Sequence, residues 1–127
     1  MNVEKVVFSF FIVLALTLNF GFFLGDFDKP EHHDVYELFA AIVVNLIATV
    51  LKFGDRTHMG AVMLATSLVA DLQLIAAAIV WAVATHVTGT GLSAANLASV
   101  ISLSGGALLA NVVSVVLLTV ETASLRR

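Results

Sequence analysis

Met59-Gly-Ala-Val-Met-Leu-Ala-Thr-Ser-Leu-Val-Ala-Asp71-Leu-Gln-Leu-Ile-Ala-Ala-Ala-Ile-Val-Trp-Ala-Val-Ala-Thr85 is the stretch that decides the fold. It runs for 27 residues and carries a single charge, Asp71. A helix of ~20 apolar residues crosses a hydrocarbon core ~30 Å thick, so this run reads as a transmembrane helix. A backbone in lipid must satisfy its own hydrogen bonds, which leaves helix as the form such a run takes.

The rest of the chain repeats the pattern. Helices are predicted over about 6–24, 35–53, 59–85 and 94–120, all within one transmembrane domain that takes in residues 1–127. The expected fold is an all-α polytopic membrane protein, a bundle of four transmembrane helices. The chain is 60% hydrophobic and 12% charged, with a mean hydropathy of +1.04. Soluble domains are ~25% charged, so the lipid bilayer is the expected surrounding. The first run ends in Asn19-Phe-Gly-Phe-Phe-Leu-Gly25, without a small-x-small cleavage pattern, and is read as a retained helix rather than a signal peptide.

Orientation follows the basic residues. Lys5, Lys52, Arg56, Arg126 and Arg127 share one side of a four-span arrangement, and Lys29 alone lies on the other. Both termini are therefore expected in the cytoplasm, with Tyr36 and Trp81 near the outer interface. The basic residues form no patch, which argues against nucleic acid. Cysteine is absent, so disulfides, thiolate metal sites and Cys nucleophiles are excluded. No Ser-His-Asp set, His-Glu-x-x-His pair or phosphate loop is present, and the chain is not expected to be an enzyme.

Asp71 is the sharpest feature. A charged carboxylate at the bilayer centre costs ~2.5–3.5 kcal/mol on insertion scales, and no Lys or Arg lies at comparable depth in the sequence. The residue must be protonated, hold a cation, face water, or pair with a base on another protein. Ser67 lies one turn before it, and Asn45 and Asn111 lie near the middle of helices two and four. Asp71, Asn45, Asn111 and Ser67 are the candidate ion-contacting set, because oxygen and amide groups suit protons and hard cations. The asparagines and the serine could equally be hydrogen-bond links between helices. Gln73 points ~200° around the helix from Asp71 and is expected to pack elsewhere. No organic cofactor is indicated; a bound cation is the one non-protein group these residues could hold.

Weaker patterns lie outside the spans. Asp26, Asp28, Glu31, His32, His33 and Asp34 place six potential metal ligands in the outer loop, without a recognised ligand spacing. A solvated acidic loop is the plainer reading. Val87-Thr-Gly-Thr-Gly91 shares Gly-x-Gly with carbonyl filters of potassium channels, but no pore helix precedes it and an outer turn is expected. His33 and His86 lie outside any span and do not form a haem pair.

Helix four carries Ala98, Ser102, Gly106, Ala110 and Ser114 at steps of four, a ridge of small residues that allows close backbone approach in lipid. It is read either as a homo-oligomer seam or as packing within the monomer. Ala40 to Leu51 and Gly106 to Leu117 align around Asn45 and Asn111, a faint parallel repeat of two helix hairpins.

The stretches Tyr36-Glu-Leu-Phe-Ala-Ala-Ile-Val-Val-Asn45 through Arg56, and Ala65-Thr-Ser-Leu-Val-Ala-Asp71-Leu-Gln-Leu74, resemble a family of small four-helix bacterial inner-membrane proteins whose domain has no known function. The resemblance implies a bacterial plasma membrane and assigns no activity. Two functions follow as expectations. One is a homo-oligomeric channel or carrier for a cation or proton that contacts Asp71. The other is a non-transporting accessory subunit of a larger membrane protein, with Asp71 paired to a base on that partner.

Overall fold

The computed structural model describes residues 3–24, 35–55, 57–87 and 93–125. They form α1 (Val3–Phe23), α2 (Val35–Lys52), α3 (His58–Ala82), a π-helical continuation (Val83–Val87) and α4 (Ala94–Leu125), with no strand among the described residues. Helices α1, α3 with its π-helical end, and α4 are long and apolar enough to cross a membrane. Helix α2 has 18 residues, or ~27 Å of rise. The candidate metal ligands Asp26, Asp28, Glu31, His32, His33 and Asp34 lie outside the described residues. Among the described ones no group of three His, Asp or Glu could hold a metal ion.

The helices form a ring in which α1 packs on α2 and α4, and α3 packs on α2 and α4. Neighbours run antiparallel. Lys5 at the start of α1 pairs with Glu121 near the end of α4 at 3.0 Å. The Lys52 ammonium, at the end of α2, lies 4.2 Å from the centre of the Phe8 ring. The α3–α4 register is fixed by the Thr66–Ser114 hydroxyl contact at 2.5 Å and by Gln73, whose amide occupies the space a side chain at Gly106 would need.

Each helix turns a heptad stripe inward. The buried residues are Phe8, Ile12, Ala15, Asn19 and Phe22 on α1, and Leu38, Ala41, Asn45, Ala48 and Lys52 on α2. On α3 the stripe runs through Gly60, Met63, Ser67, Ala70, Leu74 and Ala77, and on α4 through Leu97, Val100, Ser104, Ala107, Asn111 and Ser114, while Thr49, Asp71, Ile101 and Ala110 are buried beside it. Steps of three and four alternate throughout, the spacing of helices that pack knobs into holes. Most of these side chains are small or polar. The outward face carries Phe10, Phe20, Phe39, Val50, Leu72, Ile79 and Leu109, all exposed. Polar groups inside and apolar groups outside reverse the pattern of a water-soluble bundle.

The ridge at steps of four does not coincide with the α4 stripe. Ala110 and Ser114 are buried, Gly106 is half-buried against Gln73, and Ala98 and Ser102 are exposed. Each step of four advances ~40° beyond a full turn, so the ridge winds from the interior to the surface.

The α2–α3 turn is held by Asp55. Its Oδ1 accepts from the Thr57 hydroxyl at 2.7 Å and the Thr57 N–H at 3.0 Å. Thr57 in turn caps α3 by accepting from Gly60 N at 2.9 Å. A β-carbon on Gly60 would collide with the Asp55 carboxyl, so the tight turn depends on glycine there. The Thr57 hydroxyl, then its N–H, then Lys52 hold the Asp55 carboxyl down from 3.8 to about 2 against the opposing effect of burial. A depressed carboxyl stabilises the fold fully above its unfolded value, and that contribution fades as pH falls through the folded one. Acid titration in detergent is therefore expected to loosen this turn between about pH 4 and pH 2. Asp55→Asn should flatten that part of the profile; an unchanged profile would count against the carboxylate cap.

Candidate functional site

Four helices bring polar side chains to one level of the interior. Asp71 is 5% exposed, and its Oδ2 accepts from the Thr49 hydroxyl at 2.6 Å. The same hydroxyl stands 2.9 Å from the Asn45 carbonyl. It has one hydrogen to give, so the two acceptors compete for it. Asp71 Oδ1, Ser67 Oγ, Asn111 Oδ1 and both ends of the Asn45 amide are buried without a hydrogen-bond partner. Gln73 Oε1 is likewise unpartnered, but its amide packs on α4 at Gly106 as the helical angle predicted.

Asn19 of α1 joins this layer from the opposite side. Its amide satisfies its surroundings when the nitrogen donates to the Ser104 carbonyl at 3.1 Å. The oxygen then accepts from Leu108 N at 3.0 Å and from Asn111 Nδ2 at 3.3 Å. Ser104 O and Leu108 N are one helical rung apart on α4, so Asn19 locks two helices together. Interpolating between the two α3–α4 contacts puts Asn111 level with Val69, between Ser67 and Asp71. The Thr49–Asp71 bond puts Asn45, one turn outward on α2, level with Ile75. The candidate residues Asp71, Asn45, Ser67 and Asn111 thus fall within a slab ~12 Å thick, halfway along α3.

Three contributors were not singled out by sequence reasoning. Asn19 is a lone amide in an apolar helix, and its signal is the heptad step from Phe8, Ile12 and Ala15. Thr49 follows Asn45 by one turn. Lys52 was counted as an interfacial charge, yet its side chain is 8% exposed and lies on the inward stripe of α2. Its ammonium is 3.3 Å from Asp55 Oδ2. The two ion pairs among the described residues, Lys5–Glu121 and Lys52–Asp55, leave Asp71 out. Below the layer, Lys5, Phe8, Lys52, Asp55 and Glu121 line a cleft of about 610 Å³ at the end of the bundle where α1 begins and α4 finishes.

No curated protein and no solved structure matches the chain. A family model does, over residues 32–122. That region takes in α2, α3 and most of α4, and leaves α1 with Asn19 outside it. With more than two thirds of its length matched, the chain belongs to DUF6394, a family of unknown function.

Proposed function

We propose that this protein crosses a bacterial plasma membrane four times with both termini in the cytoplasm, and carries or conducts a cation or proton that contacts Asp71. The carrying observation is a mid-helix carboxylate enclosed by the bundle, with one oxygen unpartnered and, among the described residues, no basic side chain bonded to it. Keeping such a group costs free energy that packing alone does not return. Clustering of Lys5 and Lys52 at one end of the bundle, beside the α2–α3 turn, supports the cytoplasmic placement of that end.

Each bundle encloses its own Asp71, so the route runs through a single protomer. Homo-oligomer formation would use outward-facing surface, to which Ala98 and Ser102 contribute small side chains. The accessory-subunit reading is weaker. A partner's arginine would have to enter the bundle to reach a residue only 5% exposed.

The test is uptake by proteoliposomes holding purified protein, with gradients of H⁺, Na⁺, K⁺ and Ca²⁺ applied in turn. Uptake of one ion above empty vesicles is expected. No uptake of any of them, by protein shown to be folded and inserted, would overturn the transport reading.

A further inference from the structure

We propose that the ion Asp71 contacts is a proton, which the carboxyl itself carries, and that the Thr49 hydroxyl changes acceptor each time the proton arrives or leaves. The inference rests on the reading above that Asp71 meets a transported ion, and it names that ion.

The hydrogens can be counted. Thr49 Oγ1 lies 2.6 Å from Asp71 Oδ2 and 2.9 Å from the Asn45 carbonyl oxygen, both ordinary lengths for an O–H···O bond. A threonine hydroxyl has one hydrogen. With Asp71 ionised, that hydrogen serves two oxygen–oxygen contacts, and one of them is made without any. A proton on Oδ2 supplies the second. The carboxyl then donates to Thr49 Oγ1, and Thr49 donates to the Asn45 carbonyl. Both contacts become full hydrogen bonds only in that state.

The surroundings of the carboxyl agree. A buried carboxylate that stays ionised accepts several hydrogen bonds or lies beside a base. Asp71 has the Thr49 hydroxyl alone, and its Oδ1 is buried without a partner. Helix α3 packs on α2 and α4. On α2, Lys52 lies one turn beyond Thr49, with its ammonium 3.3 Å from Asp55 and over the Phe8 ring; Tyr36 and Glu37 lie at the other end of that helix. The titratable group among the described residues of α4 is Glu121, paired with Lys5 of α1 at the end of the bundle. On the α3 strip itself, His58 and His86 are each more than three turns from Asp71.

A metal ion fits less well. Asn45 stands level with Ile75, about 12 Å along α3 from Ser67, so the oxygens of the layer do not surround one point as metal ligands do. A proton needs the carboxyl and one neighbour that both gives and takes a hydrogen, and a hydroxyl does both. On release, Asp71 passes its proton to a water molecule, leaving a carboxylate and hydronium. The Thr49 hydrogen then turns from the Asn45 carbonyl to Oδ2, and uptake from hydronium reverses both changes. Thr49 is thus a positioning residue for Asp71.

The test has two readouts on the purified full chain. Proteoliposomes in choline salts, free of alkali and alkaline-earth ions, are given a pH gradient, an entrapped pH-sensitive dye and a permeant anion to balance charge. Proton uptake above empty vesicles is expected. Thr49→Val should slow it about 10-fold, and Thr49→Ser, which keeps the hydroxyl, should hold near the wild-type rate. Infrared difference spectra of wild type against Asp71→Asn, in detergent at neutral pH, should show the carbonyl stretch of a protonated carboxyl. Thr49→Val should move that band and Thr49→Ser should not. Where Asp71→Asn fails to fold by circular dichroism, the band that Thr49→Val moves identifies the carboxyl. Absence of the band from folded wild-type protein would overturn the inference. Uptake and band both indifferent to Thr49→Val would overturn the role of Thr49. Asp71-dependent uptake of Na⁺ or K⁺ without proton uptake would sink this inference and leave the transport reading standing. No uptake of any ion would overturn the transport reading and this inference with it.

Discussion

Asp71→Asn is expected to lower ion uptake by ~100-fold or more, the equivalent of ~2.7 kcal/mol, while the bundle stays folded. Asparagine keeps the shape of the side chain and an oxygen for Thr49 to donate to, but removes the charge. If the carboxylate is there for the ion, its removal also removes the cost of a charge in the membrane, ~2.5–3.5 kcal/mol on insertion scales. The variant should therefore unfold no more readily than the wild type as detergent conditions are made harsher. Thr49→Val offers a graded comparison. It deletes the hydrogen bond to Oδ2, worth ~1.5–3 kcal/mol when the acceptor is charged, and should reduce uptake by an intermediate factor. Initial rates in proteoliposomes measure both effects. Wild-type uptake by the Asn variant would remove Asp71 from the mechanism.

Phe22→Ala is expected to give the largest loss of stability among single truncations, ~2 kcal/mol. The ring is 1% exposed, packs with Leu38, Leu74 and Val100, and lies 6.0 Å from the Trp81 ring at 56°. In a water-soluble core the same change costs ~3–5 kcal/mol. The cost is smaller here because a separated helix still keeps its phenylalanine in lipid. What remains is the cavity and the lost dispersion contacts. Phe20→Ala, on the lipid-facing side of the same helix at 47% exposed, should cost almost nothing. Unfolding by dodecyl sulfate in mixed micelles compares the two directly. Equal losses would mean that the interior of the bundle is not where this fold places it.

The helices were legible in the sequence because long uncharged runs admit few alternatives. The residues 6–24, 35–53, 59–85 and 94–120 correspond to α1 to α4 within a few positions. The chief difference is that α1 begins at Val3 and α4 continues to Leu125. Lys5 and Glu121 lie in those extensions and pair with each other there. Asp71 stood out because its charge has no counterpart at that depth, and Ser67 followed from one helical turn. The inward faces were harder to read. With lipid on one side and core on the other, both faces of a helix are apolar, and hydrophobic contrast disappears. The information that remains is size and polarity at alternating steps of three and four. That pattern runs through Asn19, Asn45, Ser67 and Asn111, whereas the steps of four from Ala98 to Ser114 follow a line that leaves the interior. Thr49 and Lys52 were obscure for a different reason. Each becomes informative only through a partner distant in sequence, Asp71 for one and Phe8 for the other.

The helices differ in length more than a uniform slab accommodates. Helix α2 rises ~27 Å and α4 ~48 Å. In the four-span arrangement proposed above, lipids beside α2 thin to meet it, while α4 tilts or projects beyond the headgroups. A bundle with one short wall deforms the annulus of lipid around it unevenly, and acyl-chain length becomes a variable that presses on α2 more than on its neighbours. Helix α2 carries Asn45 and Thr49, so in that arrangement the thickness of the host membrane would act on the side of the polar layer where Thr49 holds Asp71.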